Sequence, residues 1–158
     1  MAKNEKIVKK VKYLGVSNYN VQCLCNLLSF CRIRPIVNEI EYHLYFIQKK
    51  LKEFCDKQNI AVIAYYPMPY WNRARMFIRN NPDFDIFKDE LIIELSQKYD
   101  KTPGKIILNW HYCQGTIPIP CTSKLNRMEE NLKALDFKLE EEDIQKLSSH
   151  FKQMLLNF

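Results

Sequence analysis

The stretch VKYLGVSNYN, Val11 to Asn20, is where a predicted strand gives way to a predicted helix. Its first half is mostly apolar, and Gly15 permits a sharp turn or close packing. The polar pair Ser17 and Asn18 follows directly, before a helix that begins near Val21. In parallel α/β sheets, ligands bind at the carboxyl ends of the strands. Ser17 and Asn18 are therefore the first candidates for a binding site.

Strand-like and helix-like runs alternate along the rest of the chain. The predicted strands are Val11–Val16, Pro35–Tyr42, Ile60–Tyr66 and Thr116–Cys121. Helices are predicted over Val21–Cys31, 46–59, 86–100 and Glu141–Leu155. Another predicted helix has Thr102 as its N-cap and Pro103 as its first residue, and it runs to Gln114. A further helix is predicted to begin after Ser123 as its N-cap. A long loop is predicted between the third strand and the third helix, over 67–85. This alternation predicts an α/β protein with parallel strands, as an open sheet or as half of a (β/α)8 barrel.

Composition and charge exclude several classes of protein. The chain has 158 residues, of which 47% are apolar and 27% charged, as expected for one soluble globular domain. No apolar run of about 18 residues is present, so no membrane span is predicted. The basic N-terminus lacks the apolar core of a secretory signal. We therefore expect a cytoplasmic protein, with a mitochondrial presequence as the alternative.

The net charge of +6 favours an acidic or phosphate-bearing ligand. No nucleic-acid motif accompanies this charge, so no nucleic-acid partner is predicted. The six cysteines form neither a C-x-x-C pair nor a zinc spacing with histidine. We therefore expect free thiols and no metal site.

The polar signatures at four strand ends occur in a fixed order: GVSN, VNEIEYH, AYYP, and IPCTS followed by NRMEEN. Two longer segments, KYDKTPGKIILNWHYCQG and ALDFKLEEEDIQKL, complete a set that extends over residues 7–150. Together these six elements resemble the aldo-keto reductase family. The resemblance implies a (β/α)8 barrel that binds a nicotinamide cofactor, chiefly NADP(H), and reduces carbonyls.

GVSN resembles the end of the fifth strand of that barrel. The resemblance therefore implies an α/β half-barrel derived from the TIM barrel, with four parallel strands and flanking helices. Residues 1–10 would be a remnant of the helix before strand five, and residues 11–158 the half-barrel domain.

The resemblance also implies roles for residues at three strand ends. Ser17 and Asn18 match the pair that binds the nicotinamide carboxamide, a group with one acceptor and two donors. Glu39 stands where the family has glutamine, and its charge would favour the oxidised, cationic ring. Tyr65 matches the tyrosine that stacks on the nicotinamide, and Tyr66 replaces a small serine near the pyrophosphate. From the residues alone, Asn18 also suits a helix cap and Tyr65 a core position.

A second group of matched residues follows the fourth strand. Cys121 and Thr122 stand where many members carry Lys-Ser, whose lysine grips the 2′-phosphate of NADP(H). Arg127 matches the downstream arginine and can fork onto a phosphate. Glu130 and Asn131 match positions that contact the adenine, although a solvated surface helix also explains Arg127 and Glu130. These departures make the predicted NADP(H) site a degenerate one.

The family's catalytic Asp, Tyr, Lys and His lie on strands one to four, so the resemblance assigns no catalytic residue to this chain. His43 matches a histidine outside that tetrad. Without a positioned proton donor, the chain alone is not expected to reduce carbonyls.

A half-barrel also leaves sheet edges and inward apolar side chains uncovered, which proteins normally avoid. The side chains expected to be partly exposed are Val11, Ile36, Ile40, Val62, Ile117 and Ile119. We therefore expect a homo-oligomer or a protein partner. Two hypotheses remain: a non-catalytic structural or interaction subunit, and the NADP(H)-binding half of a split or truncated reductase.

Overall fold

The computed structural model describes residues 11–69 and 85–150. The four strands form one parallel sheet in the order β1-β2-β3-β4, flanked by helices. The strands are β1 Gly15–Ser17, β2 Val37–Glu41, β3 Ala61–Tyr65 and β4 Thr116–Pro118. The helices are α1 Val21–Phe30, α2 Lys49–Lys57, α3 Glu90–Tyr99, α4 Pro103–Cys113, α5 Leu125–Leu132 and α6 Glu141–His150. Two 3₁₀ turns lie at Ile86–Lys88 and Lys133–Leu135.

The predicted order of strands and helices is thus confirmed, with shorter strands than expected. Three predictions fall wholly or largely outside the described residues: the helical remnant at 1–10, most of the loop at 67–85, and the last turn of the final helix. No helix among the described residues is both long and apolar enough to cross a membrane. All six cysteines are free, as predicted.

The described chain forms two compact units. The first unit contains residues 11–40 and 48–63. In it, β1 and β2 pair in parallel, with Gly15 opposite Val37 and Ser17 opposite Glu39. A Cβ atom at Gly15 would overlap the Val37 side chain, so glycine is what allows the two strands to approach. Leu24 of α1 is fully buried.

Helix α1 begins at a different asparagine from the one that the sequence suggests. Asn20 is the N-cap, and its side chain accepts a hydrogen bond from the Cys23 N–H at 2.8 Å. The interpretation of Asn18 as the helix cap is therefore wrong. Asn18 instead has φ 59°, in the left-handed region that asparagine tolerates better than most residues.

The second unit contains residues 41–47, 64–69 and 85–150. Its core is helix α4, in which six consecutive residues from Ile106 to His111 are buried. Trp110 stacks on Tyr42 with ring centroids 5.8 Å apart. The buried Asn109 donates to the carbonyls of Ala134 and Phe137, at 2.8 and 2.7 Å. Its side-chain oxygen accepts from the Leu139 N–H at 3.0 Å, so one side chain ties α4 to the chain that follows α5.

The predicted start of α4 is confirmed, whereas the predicted N-cap of α5 is wrong. Pro103 is the first residue of α4 after Thr102, as predicted, although the Thr102 side chain makes no capping hydrogen bond. Helix α5 begins at Leu125 with Lys124 as N-cap, so the prediction of Ser123 was wrong by one residue. The Lys124 N–H is instead bound by the hydroxyl of Thr122, at 3.2 Å.

The expectation of partly exposed inward side chains is correct at four positions and wrong at two. Val11, Ile36, Ile117 and Ile119 are 41–50% exposed, whereas Ile40 and Val62 are only 2% and 1% exposed. In β2 and β3, alternate residues are buried. Ile40 and Val62 belong to the buried set, because side chains of a strand alternate between its faces.

Candidate cofactor site

The end of β1 brings three of the predicted residues together in the first unit. The Ser17 hydroxyl donates to the Glu39 backbone oxygen at 3.1 Å, and the Asn18 N–H donates to the same oxygen at 2.8 Å. The hydroxyl proton of Ser17 is thus used within the protein. Its oxygen lone pairs stay available to accept a hydrogen bond from an amide of a ligand.

The Glu39 carboxylate is half-buried, and in the described part of the chain it pairs with no basic side chain. Ser17 is its neighbour across the parallel register, so both side chains belong to the same face of the sheet. This arrangement offers hydrogen-bond acceptors, with a negative charge that favours a donor or a cationic ligand.

Asn38 supports this strand end and was not predicted from the sequence. Its side chain is fully buried, donates to the Tyr19 carbonyl at 2.8 Å and accepts from the Tyr19 N–H at 3.4 Å. Both bonds hold the turn that carries Asn18 against β2. Its role could have been inferred from an asparagine within a predicted strand, because a buried side-chain amide needs hydrogen-bond partners.

Tyr65 lies at the end of β3 in the second unit and is half-buried rather than a core residue. Tyr66 follows with φ 50° and is 40% exposed. The two rings meet edge-on, with centroids 5.3 Å apart and planes inclined by 82°. The strand end therefore presents two adjacent aromatic rings where the resemblance implies one tyrosine and a small serine.

A buried histidine anchors the segment that follows these tyrosines. The Nε2 atom of His111 lies 3.2 Å from the Pro67 carbonyl, and its Nδ1 lies 3.1 Å from the Thr116 hydroxyl. Because a carbonyl only accepts, Nε2 carries the proton and Nδ1 is an acceptor. The Thr116 hydroxyl has one proton, which lies between Nδ1 and the His111 backbone carbonyl, 3.0 Å from the hydroxyl oxygen. Burial, together with nearby His43, lowers the pKa of His111 to about 3, so the ring is neutral at pH 7.

His43 is the other buried histidine of the second unit. Its Nε2 lies 3.1 Å from a Glu41 carboxylate oxygen, while its Nδ1 is buried without a hydrogen-bond partner. Neither His111 nor His43 is assigned a role from the sequence, because a histidine's burial cannot be inferred from its neighbours in sequence.

The remaining candidates lie on α5 and just before it. Arg127 is exposed and forms no ion pair with any described residue, while Glu130 and Asn131 are half-buried. All three belong to α5, at spacings that place them near one another. The Thr122 hydroxyl accepts a hydrogen bond from the Lys124 N–H in the turn before them, so it already has a partner within the protein. The group can offer a guanidinium to a phosphate, and an acid and an amide to a neighbouring base.

No group of histidine, cysteine, aspartate and glutamate side chains in 11–69 and 85–150 is arranged to hold a metal ion.

Comparison with known proteins decides the family. The family model described as "Aldo/keto reductase family" matches residues 4–152. This chain belongs to the aldo/keto reductase family. Aldose reductase C of Dictyostelium discoideum is 36% identical over 147 residues, which are 92% of this chain and 42% of that protein. The 9,11-endoperoxide prostaglandin H2 reductase of Trypanosoma cruzi is 34% identical over 139 residues, 88% of this chain and 46% of that protein.

Solved structures of the family show the same fold. An aldo-keto reductase solved with NADPH superposes with a TM-score of 0.84 at 31% identity, over 96% of this chain and 46% of that one. A Bombyx mori aldo-keto reductase solved with NADP gives a TM-score of 0.85 at 28% identity, over 97% and 49%. The chain thus spans about half the length of the relatives it matches. The predicted half-barrel is confirmed.

Proposed function

We propose that this chain, as a separate protein, is a non-catalytic interaction subunit built on the aldo-keto reductase fold. The observation that carries the proposal is the distribution of exposed apolar side chains. In the described residues, all the large ones except Tyr66 and Ile93 lie in residues 11–36 or 117–135. Apolar surface of this extent usually marks a site of protein association.

Substitutions in the candidate site support the same proposal. Glu39, Tyr66 and Cys121 stand where the resemblance implies glutamine, serine and lysine. The exposed thiol of Cys121 supplies no positive charge for a 2′-phosphate. The ring of Tyr66 adds bulk beside Tyr65. A site altered in this way is expected to hold NADP(H) more weakly than a complete one.

A second candidate function is the NADP(H)-binding half of a reductase that becomes active when another half completes it. Ser17 and Asn18 both donate a hydrogen bond to the Glu39 backbone oxygen. These bonds favour this candidate, because they hold the Ser17 hydroxyl and the Asn18 residue at the strand end. The exposed Arg127 favours it as well, since its guanidinium has no ion-pair partner in the described residues. The similar structures solved with NADPH and NADP make the same cofactor the natural probe.

Titration of the purified chain with NADPH, followed by cofactor fluorescence, separates the two candidates. NADP⁺ is titrated beside it, because the charge of Glu39 favours the oxidised ring. If the cofactor site is intact, binding saturates and weakens about tenfold or more in Arg127→Ala, since a charge-assisted phosphate contact contributes about 1.5–3 kcal/mol. Lys133→Ala, which removes the same charge just after α5, is the matched control and should bind as the parent does.

Absence of binding by the folded chain at millimolar cofactor would remove the second candidate. NADPH-dependent reduction of an aldehyde by the chain alone would contradict the proposed non-catalytic function.

A further inference from the structure

Glu39 carries a half-buried carboxylate in β2, opposite the last residue of β1. In the described residues, neither a hydrogen bond nor an ion pair joins this carboxylate to another side chain. Two cations of the same unit have other partners: Lys52 pairs with Asp56 at 2.6 Å, and Arg34 donates to Gln58 at 2.9 Å. A charge that has lost part of its hydration without gaining a counter-charge favours a cationic ligand.

The group beside this carboxylate is also a hydrogen-bond acceptor. Ser17 is opposite Glu39 in the register, so the two side chains lie on the same face of the sheet. The hydroxyl proton of Ser17 and the N–H of Asn18 are both donated to the Glu39 backbone oxygen, at 3.1 and 2.8 Å. The hydroxyl therefore offers its lone pairs to a ligand. This strand end matches a ligand group that is both positively charged and a hydrogen-bond donor.

The backbone under this site is held from the opposite face of the sheet. Asn38, next to Glu39 in β2, is fully buried, and its side chain bonds to both backbone groups of Tyr19, at 2.8 and 3.4 Å. Gly15 allows β1 to approach Val37 closely. Because β1 and β2 are fixed together in this way, the strand end is organised before a ligand arrives, which lowers the ordering cost of binding.

Among the chemical groups of a nicotinamide dinucleotide, the oxidised ring meets both requirements. The phosphates are anionic and adenine is neutral, so the charge of Glu39 repels the former and does not attract the latter. The oxidised nicotinamide ring is cationic, and its carboxamide has two N–H donors. The reduced ring keeps the carboxamide but is neutral. The two forms of the cofactor thus differ in the charge to which Glu39 responds.

We propose that this chain selects the oxidation state of its cofactor, binding NADP⁺ in preference to NADPH, and that Glu39 is the residue that determines the preference. The proposal rests on cofactor binding, the second candidate function above, and adds to it the form of the ligand that is bound. Selectivity of this kind is a difference between two affinities. The fraction of the chain that carries cofactor would therefore follow the ratio of NADP⁺ to NADPH.

Two electrostatic effects oppose each other, and the local one is the larger. A unit charge on the ring about 6 Å from the carboxylate, at an effective dielectric constant of about 40, changes the affinity roughly tenfold. The net charge of +6 acts in the other direction, since NADPH is the more negative form. That attraction is largely screened beyond about 8 Å at about 0.15 M salt, whereas a half-buried contact is screened much less. We therefore expect the dissociation constant of NADPH to exceed that of NADP⁺ by about fivefold or more.

Isothermal titration calorimetry of the full chain with NADP⁺ and with NADPH, at about 0.15 M salt, measures the two dissociation constants. The two ligands share their adenine, riboses and phosphates, so contacts with these groups cancel in the ratio. Glu39→Gln keeps the shape and removes the charge, and it should bring the ratio to about 1 by weakening NADP⁺. Glu39→Asp keeps the charge and should keep the preference. Glu53→Gln, at an exposed carboxylate of α2 in the same unit, is the control and should match the parent.

Equal affinities of the parent for the two forms would overturn the proposal and leave the second candidate function in place. A preference for NADP⁺ that persists in Glu39→Gln, with the fold intact by circular dichroism, would overturn it as well, because Glu39 would not be its cause. If the folded chain binds neither form, the proposal and the second candidate function fail together. None of these results decides the proposed non-catalytic function, which is tested separately by carbonyl reduction.

Discussion

Gly15 and Gly104 show how differently two glycines are used in this chain. A Cβ atom at Gly15 would overlap the side chain of Val37 and lie 3.3 Å from its carbonyl oxygen. A Cβ at Gly104, near the start of α4, would have the Met68 sulfur 3.7 Å away as its nearest neighbour, which is ordinary contact. Close strand pairing therefore needs glycine at the first position but not at the second.

Gly15→Ala should lower the free energy of unfolding by about 1–3 kcal/mol, because the β-branched Val37 has few alternative rotamers. Gly104→Ala should leave it unchanged or raise it by up to about 1 kcal/mol, since alanine is the better helix former. Urea unfolding followed by far-ultraviolet circular dichroism measures both. Equal unfolding midpoints for the two variants would contradict the close approach of β1 and β2.

At the scale of elements, buried polar side chains join helices that the sequence places far apart. Asn109 binds three backbone groups beyond α5. Asp143 of α6 is buried, and it accepts hydrogen bonds from Lys98 at 2.7 Å and Tyr99 at 2.5 Å, both on α3. Because partners of a buried polar group cannot turn to water, each such link is costly to break.

Asn109→Ala should lower the free energy of unfolding by about 2–4 kcal/mol, because it leaves buried backbone groups without partners. Asn126→Ala, at an exposed position of α5, is the control and should change it by less than about 0.5 kcal/mol. Thermal unfolding followed by calorimetry measures the difference. Similar melting temperatures for the two variants would show that Asn109 does not hold the segment after α5.

The link at Asp143 predicts a loss of stability in acid. Burial alone would raise the pKa of this carboxyl, but hydrogen bonds from Lys98 and Tyr99 outweigh it and hold the pKa below its usual value. The contribution is fully present above the unfolded pKa of about 3.9 and is lost as pH falls through the lower folded value. Urea midpoints measured between about pH 2 and 6 should therefore fall less steeply for Asp143→Asn than for the parent.

Glu129→Gln removes an exposed, unpaired carboxylate and is the matched control for this series. Its acid profile should follow that of the parent. An Asp143→Asn variant with the parent's slope would contradict the role assigned to the α3–α6 link.

At the scale of the whole molecule, exposed apolar surface is the feature that motivates the proposed interaction function. The large exposed apolar residues of the described chain concentrate near its first and last strands. If those surfaces are covered by a second copy, folding and association are linked, and stability depends on concentration.

In that case the melting temperature of the parent should rise with protein concentration, because dilution favours the monomer. The Leu132→Glu variant, with a charge at a side chain that is 76% exposed, should then melt at a lower temperature that concentration does not change. Differential scanning calorimetry over a hundredfold range of concentration makes the comparison. A parent whose melting temperature is independent of concentration would indicate a partner other than a second copy.

The order of elements and the family were determined by the sequence itself. Turn and cap signals act locally, so Pro103 marks the start of α4 without help from distant residues. The strand-end motifs are contiguous in sequence, which is why Ser17 and Asn18 could be chosen as site candidates. In the structure Ser17 is the last residue of β1 and Asn18 follows it, and their binding roles stay predictions. Roles for Glu39, Tyr65, Thr122, Arg127, Glu130 and Asn131 stay predictions drawn from the resemblance.

Only the tertiary structure decided which side chains are covered and which polar groups support the site. Ile40 and Val62 are buried while Ile36 is exposed, although all three are apolar strand residues. Asn38 and His111 act through partners 19 and 44 residues away. Burial and hydrogen bonding depend on what chain packing brings alongside a residue, and that information does not lie in its own neighbourhood of the sequence.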